Sequence, residues 1–273
     1  KKYRKTFVGG NLGEPLCNSI KKSFKYTHHV VELSSFQLET IKRFNPNISV
    51  ILNLSKDHLD RYKNIKNYIL AKKNILNKGS KNINLISIDD VYSNRIFLDK
   101  KINNKISFST KKIIADIFYN KDCIIDNYFH KNKKIKLSNL SLDLNNSYNL
   151  QNILVSYIVC KYFKIPIKYF NQSIKNFKGL PYRSLTIHNS ESKLIINNSK
   201  ATNISSSLST LENKKNIHLI LGGIAKEDGF SKFNKFRNNI DQIYIYGKSR
   251  FKIKNQINLP KLSIIKKNLQ EMI

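Results

Sequence analysis

The chain has 273 residues, 40% of them hydrophobic, enough to bury the core of one large domain or two ordinary ones. No apolar run approaches the roughly 20 residues that span a bilayer, and nothing near Lys1 reads as a signal peptide, so the expectation is a soluble, cytoplasmic protein with no membrane partner. A net charge of +31 ordinarily points to nucleic acid, but the lysines are spread along the chain, Arg is sparse beside Lys, and Asn and Ile are abundant too. Drift toward A- and T-rich codons accounts for all three, so no nucleic-acid partner is expected. Cys17, Cys123 and Cys160 are scattered without a C-x-x-C pair, which indicates neither a disulfide framework nor a zinc site and reads as small buried hydrophobes.

In chain order, "HHVVEL" (28–33), "ISVILNL" (48–54) and "INLISI" (83–88) read as buried strands, several leading into helical patterns. Residues 100–146 have another texture: "KISFST", "ADIFYN", "NYFH" and "KIKLSNLSLDL" read as short antiparallel strands with polar turns. A helix, "NLQNILVSYIVCKYF" (149–163), follows. "FKGLPYRS" (177–184) carries a Gly and a Pro between periodic segments and is the expected hinge between domains 1–179 and 180–273. Beyond it "KLIINN" (193–198), "IHLILGG" (217–223) and "QIYIYG" (242–247) again read as buried strands. The alternation predicts an α/β protein with mainly parallel sheet.

Ligands of open α/β sheets collect at the carboxyl ends of strands. Those positions hold Glu32, Ser34 and Ser35; Asn53, Asp57 and His58; Asn197, Asn198, Lys200 and Thr202; and Gly222, Gly223 and Lys226. Each also has a structural explanation. Ser34 and Gln37 fit an S-x-x-Q capping box, "SKD" before His58 can cap a helix, and Gly222–Gly223 fits a plain turn. Lys72 resists such an explanation better. In "IKNYILAKKNIL" (65–76) it falls near the centre of a stripe of Ile65, Tyr68, Ile69, Ile75 and Leu76, with Lys66 and Lys73 toward the flanks. A lysine there must snorkel, pair or lose its proton, and a neutral amine can take up carbon dioxide to become a carbamate.

Taken in order, "GGNLGEPL", "VELSSFQLET", "ILNLSKDHLDRY", "YILAKKNI", "NLQNILVSY", "FKGLPYRS", "NNSKATN" and "LILGGIAKEDGFS" resemble the successive motifs of the Mur ligases, nearest the branch that accepts D-glutamate. The resemblance implies a central ATPase-type domain and part of a Rossmann-like C-terminal domain. It further implies a monomeric ligase that uses ATP and Mg2+ to join D-glutamate to UDP-N-acetylmuramoyl-L-alanine in peptidoglycan synthesis. By the same resemblance Glu32, His58 and a carbamylated Lys72 serve the metal and the catalysis. Asn11, Ser34 and Lys226 contact substrate, while Asn149, Asn152, Arg183, Asn198, Lys200 and Thr202 line the ATP.

The chain also departs from the family pattern. Asn197–Asn198 stands where the family usually has Asn-Asp, and Tyr148 and Tyr182 replace histidines ahead of Asn149 and Arg183. No G-x-x-x-x-G-K-[ST] phosphate loop occurs in residues 1–273. The resemblance puts that loop upstream of Lys1 and further substrate-binding segments downstream of Ile273, so an internal piece, inactive by itself, is expected. Other readings of the residues are another Mur ligase, a folylpolyglutamate synthase, a basic nucleic-acid-binding protein on a ligase-like scaffold, and a non-catalytic remnant.

Overall fold

A computed structural model describes residues 5–20, 26–76, 82–137, 144, 146–225 and 229–272. They group into two compact units, one from Lys1–Ser141 with Ser147–Phe177 and the other from Leu142–Asn146 with Lys178–Ile273. The architecture is mixed α/β with a mainly parallel central sheet.

The first unit opens with a two-stranded parallel sheet of β1 (Thr6–Gly10) and β2 (His28–Glu32), with the short helix α1 (Cys17–Ile20) between them in sequence. Helix α2 (Ser35–Glu39) follows β2, and β3 (Ile48–Ile51) starts the main sheet. Helices α3 (Leu59–Tyr62) and α4 (Ile65–Lys73) connect β3 to β4 (Ile83–Ser87), and α5 (Val91–Leu98) connects β4 to β5 (Lys105–Ser109). A meander of β6 (Ile117–Asn120), β7 (Cys123–Asp126) and β8 (Lys133–Lys136) completes a six-stranded sheet in the order β3-β4-β5-β6-β7-β8. Leu85, Ile86, Ile106, Phe108, Ile117 and Ile124 lie in its core with no measurable exposure, because inner strands are covered on both faces. Helix α6 (Ser147–Tyr162) packs against β5 and β6, and α7 (Ile167–Asn176) packs on α6.

Local chemistry starts these helices where they start. Asp90 accepts from the backbone N–H groups of Tyr92 and Ser93 at the start of α5, and Asn64 accepts from that of Asn67 at the start of α4. The β6–β7 turn is the two-residue pair Lys121–Asp122, both at positive φ, the geometry that matches strand twist in tight hairpins.

Three readings between residues 100 and 137 need correction. β5 is not antiparallel: it runs parallel to β4 and to β6, because residues 110–116 fold back so that the chain re-enters in the same direction. "NYFH" (127–130) is a turn, since the buried Asp126 carboxylate accepts from the N–H groups of Tyr128 and Phe129 and bends the chain there. β7, just before it, is the strand the pattern missed. The far oxygen of Asp126 accepts from the Tyr157 hydroxyl at 2.7 Å, tying β7 to α6, and burial pushes the phenol upward in pKa. Of the cysteines, Cys17 is exposed and Cys123 and Cys160 are half-buried, so none is the fully buried hydrophobe expected; all three are free.

In the second unit, β9 (Leu185–Asn189) and β10 (Leu194–Asn197) form an antiparallel hairpin with a bulge at Ile195–Ile196. Helix α8 (Ile204–Leu211) leads to a parallel sheet of β11 (Ile217–Gly222), β12 (Ile240–Tyr246) and β13 (Ser263–Ile265), with α9 (Arg250–Ile257) between the last two. Its core comprises Ile204, Leu208, Leu211, Phe233, Ile240, Ile243, Ile245, Ile253 and Ile257. "KLIINN" is therefore half of a hairpin whose strand residues are half-buried or exposed, rather than a buried strand. "IHLILGG" is an edge strand that half-buries only alternate residues. Among the described residues no helix is long and apolar enough to cross a membrane.

Candidate functional site

The first unit gathers its polar side chains at strand ends. Gly10 pairs in register with Glu32, and the Asn11 N–H donates to the Glu32 carbonyl at 2.8 Å, so β1 delivers Asn11 beside the exposed Glu32. Only glycine fits at the end of β1. A Cβ on Gly9 would overlap the Glu14 carbonyl oxygen and one on Gly10 the Glu32 carbonyl oxygen, while Gly10 also sits at φ +113. Ser34 forms the capping box read from sequence: its hydroxyl accepts from the Gln37 N–H at 3.3 Å, and Gln37 Oε1 accepts the Ser34 N–H at 2.9 Å.

Beyond β3 the chain reaches His58, whose φ of 53 lies in the left-handed region. Asp57 holds that turn, accepting the His58 N–H at 2.8 Å, and its second oxygen lies 3.6 Å from His58 Nε2. The His58 ring meets Phe36 edge-on at 4.9 Å and lies 6.4 Å from Tyr68. Tyr62 stacks on Phe36 and meets Tyr68 edge-on, so it links the two rings that meet the imidazole.

Lys72 completes this group from α4, whose Tyr68 and Ala71 are buried while Ile65 and Ile69, and Ile75 and Leu76 just beyond the helix, pack partly against the same core. Its Nζ lies 5.8 Å from the Tyr68 ring centre. Burial lowers the pKa of its amine, and the negative charges of Glu32 and Asp57 oppose that shift, which puts both carboxylates within electrostatic reach. The Tyr68 hydroxyl is pushed up to about 12, first by burial and then by Asp57. The neighbouring lysines are disposed differently, since Lys73 pairs with Asp99 at 2.9 Å and Lys66 is exposed.

These residues are compatible with magnesium, with a condition. No three His, Cys, Asp or Glu side chains among the described residues converge closely enough to hold a metal. Glu32 and Asp57 offer hard oxygen ligands, and an ammonium on Lys72 would repel a cation, whereas a carbamate there would add two more oxygens. A partial protein ligand set suits an ion that keeps several waters.

Sequence reading missed Gln151, which lies between Asn149 and Asn152 on α6. Its Oε1 accepts from Asn53 Nδ2 at 3.1 Å, and its Nε2 donates to Ser87 Oγ at 3.2 Å and to Asp89 Oδ2 at 2.8 Å. Gln151 thus ties the ends of β3 and β4 to the start of α6, with Asn149 half-buried and Asn152 exposed beside it. A polar residue among Leu150, Ile153 and Leu154 was the available signal. Gln151→Leu is expected to cost about 1–3 kcal/mol, the range for stranding buried polar partners. Gln151→Glu is expected to cost more, because its carboxylate would face Asp89; urea midpoints of the two variants check the order.

In the second unit the Lys200 N–H donates to the Tyr182 carbonyl at 3.0 Å, which brings the Arg183 turn against the Asn198–Lys200 loop. Arg183, Lys200 and Thr202 are exposed, and Asn198 is half-buried. Lys226 lies outside the described residues. Of the glycine pair ahead of it, Gly222 is crowded, since a Cβ there would overlap the Tyr246 ring, whereas Gly223, at φ +99, has nothing within 4 Å of that place. The Ser249 hydroxyl accepts the Ala225 N–H at 2.9 Å, and the Ser249 N–H donates to the Gly223 carbonyl at 3.1 Å.

Comparison with known proteins gives the following. The profile described as Mur ligase middle domain matches residues 14–160. A UDP-N-acetylmuramoylalanine--D-glutamate ligase of Rickettsia bellii is 36% identical over 249 residues, covering 89% of this chain and 54% of the relative. MurF from Acinetobacter baumannii superposes with a TM-score of 0.73 at 15% identity, covering 99% of this chain and 63% of that one. MurF from Thermotoga maritima in complex with ADP superposes with a TM-score of 0.69 at 20% identity, covering 97% and 65%. The chain spans about half the length of the curated relatives it matches.

Proposed function

The chain belongs to the Mur ligase family, and from that premise we propose that it serves an ATP-dependent ligase adding D-glutamate to UDP-N-acetylmuramoyl-L-alanine. The setting would be cytoplasmic peptidoglycan synthesis by a monomeric enzyme. The reading of the amino acid is supported by relatives 31–36% identical that carry that name. The observation that carries the chemistry is the half-buried Lys72, its amine pKa lowered, within electrostatic reach of Glu32 and of Asp57, the carboxylate that also faces His58.

In the proposed reaction an oxygen of the muramoyl-alanine carboxylate attacks the γ-phosphorus of ATP and ADP leaves, giving an acyl phosphate. The amine of D-glutamate then attacks the carbonyl carbon, the amide forms, and phosphate departs with one former carboxylate oxygen while the nitrogen loses a proton. Magnesium would offset repulsion between the two anions. Glu32, His58 and the carbamate of Lys72 would hold it, Asn11 and Ser34 would orient the nucleotide-sugar substrate, and Lys226 would meet a carboxylate of D-glutamate. Asn149, Asn152, Arg183, Lys200 and Thr202 would contact the nucleotide.

The test is an amino-acid panel. With MgATP and UDP-N-acetylmuramoyl-L-alanine present, ADP release by the protein containing this chain is expected with D-glutamate and not with L-alanine, L-glutamate or diaminopimelate. Release driven by one of the others would move the protein to another branch of the family. Lys226→Ala is expected to raise the KM for D-glutamate about tenfold, the scale of one charge-assisted hydrogen bond, with little change in that for ATP.

A further inference from the structure

Both N–H donors of the Asn198 amide, and one lone pair of its oxygen, are engaged within the protein. Its Oδ1 accepts the Ser184 N–H at 3.1 Å, and its Nδ2 donates to the Ser206 carbonyl at 3.0 Å and to Thr210 Oγ1 at 2.7 Å. The orientation of the amide is fixed, because a backbone N–H can only donate and a carbonyl can only accept. Thr210 Oγ1 also lies 3.1 Å from Ser184 Oγ, closing a small ring of polar contacts between the turn and α8.

That ring braces a turn whose own closure is a single hydrogen bond, the Arg183 N–H on the Leu180 carbonyl at 3.2 Å. Tyr182 and Ser184 both lie at positive φ, 63 and 51, with Arg183 between them. Two backbone groups of the turn are also clamped from outside it, the Tyr182 carbonyl by the Lys200 N–H and the Ser184 N–H by Asn198. The second requires an amide. A carboxylate at 198 could still accept from Ser184, but it would set its other oxygen against the Ser206 carbonyl, acceptor against acceptor.

We propose that Asn198 is a positioning residue, which fixes the turn presenting Arg183 by bridging it to α8, and not a direct contact of the nucleotide. The proposal rests on the assignment of Arg183 to the nucleotide given above. It reinterprets the missing acid: Asn198 stands where the family usually has a carboxylate because here the side chain must donate twice.

The experiment measures binding of a non-hydrolysable ATP analogue by calorimetry, together with hydrogen exchange at the Ser184 amide, in Asn198→Asp, Arg183→Ala, the double variant and Thr210→Val. Asn198→Asp is expected to speed Ser184 exchange and to weaken binding about tenfold, as much as Arg183→Ala does. The double variant is then no weaker than Arg183→Ala alone. Thr210→Val, which removes one of the two acceptors without adding charge, shifts both readouts in the same direction by less. Binding kept or tightened in Asn198→Asp while Arg183→Ala loses it, additive losses in the double variant, or unchanged Ser184 exchange would overturn the proposal. Intact binding in both Arg183→Ala and Asn198→Asp, with Ser184 exchange accelerated, would instead overturn the nucleotide role of Arg183 on which it rests.

Discussion

Replacing Lys72 by alanine is expected to lower turnover by about 10³-fold or more, the scale seen when one preorganised electrostatic stabiliser is removed. Lys72 sits on the face of α4 that carries Tyr68, with its charged form disfavoured by burial and two carboxylates close enough to be felt. As an ammonium it would oppose a metal ion. As a carbamate it would supply oxygens of the same kind as Glu32 and Asp57. A lowered pKa enlarges the neutral amine fraction near neutrality, so carbamylation and turnover are both expected to rise with pH through the amine's titration and to fall in acid, where the carbamate loses carbon dioxide. Carbon-labelled bicarbonate gives the direct readout: a carbamate resonance in the parent protein, absent from the alanine variant. Near-normal turnover in Lys72→Ala would remove the residue from the metal centre.

Gly10→Ala is expected to cost about 3 kcal/mol of stability and most of the activity. Two penalties coincide there: φ is +113, where a side chain is strained by about 1–3 kcal/mol, and the new Cβ would overlap the carbonyl oxygen of Glu32. The strand pair must open to admit the methyl group, which displaces the backbone that aims Glu32. The magnesium concentration needed for half-maximal turnover should therefore rise along with the loss in urea midpoint. Gly13 is the internal control, since it has φ +74 but nothing within 4 Å of the place a methyl group would take, so Gly13→Ala should show the strain without the displacement. Equal effects of the two substitutions would mean that contact with Glu32 is not what constrains Gly10.

Much of this was legible in residue order, and the failures have physical causes. The period of "IKNYILAKKNIL" placed Lys72 on the packed stripe because a nine-residue helix obeys its repeat closely. The S-x-x-Q pattern gave the α2 cap because a capping box is a local contact. Direction is not local: nothing in "KISFST" distinguishes a strand parallel to β4 from one step of a meander, and the partner across the sheet decides it. Nor could sequence tell the turn after Asp126 from a strand, since its cause is a carboxylate buried under Tyr157, 31 residues further on. Gln151 and Asn198 were unreadable as clamps for the same reason, since their partners lie up to 98 residues away for the first and 14 for the second.

The most direct test of the proposed chemistry labels the carboxylate of UDP-N-acetylmuramoyl-L-alanine with heavy oxygen and follows the phosphate released with MgATP and D-glutamate. Transfer through an acyl phosphate predicts one heavy oxygen in each phosphate and one left in the amide, with both products dependent on D-glutamate. Phosphate without label would mean that water, not the carboxylate, takes the phosphoryl group, and would contradict the ligase reading.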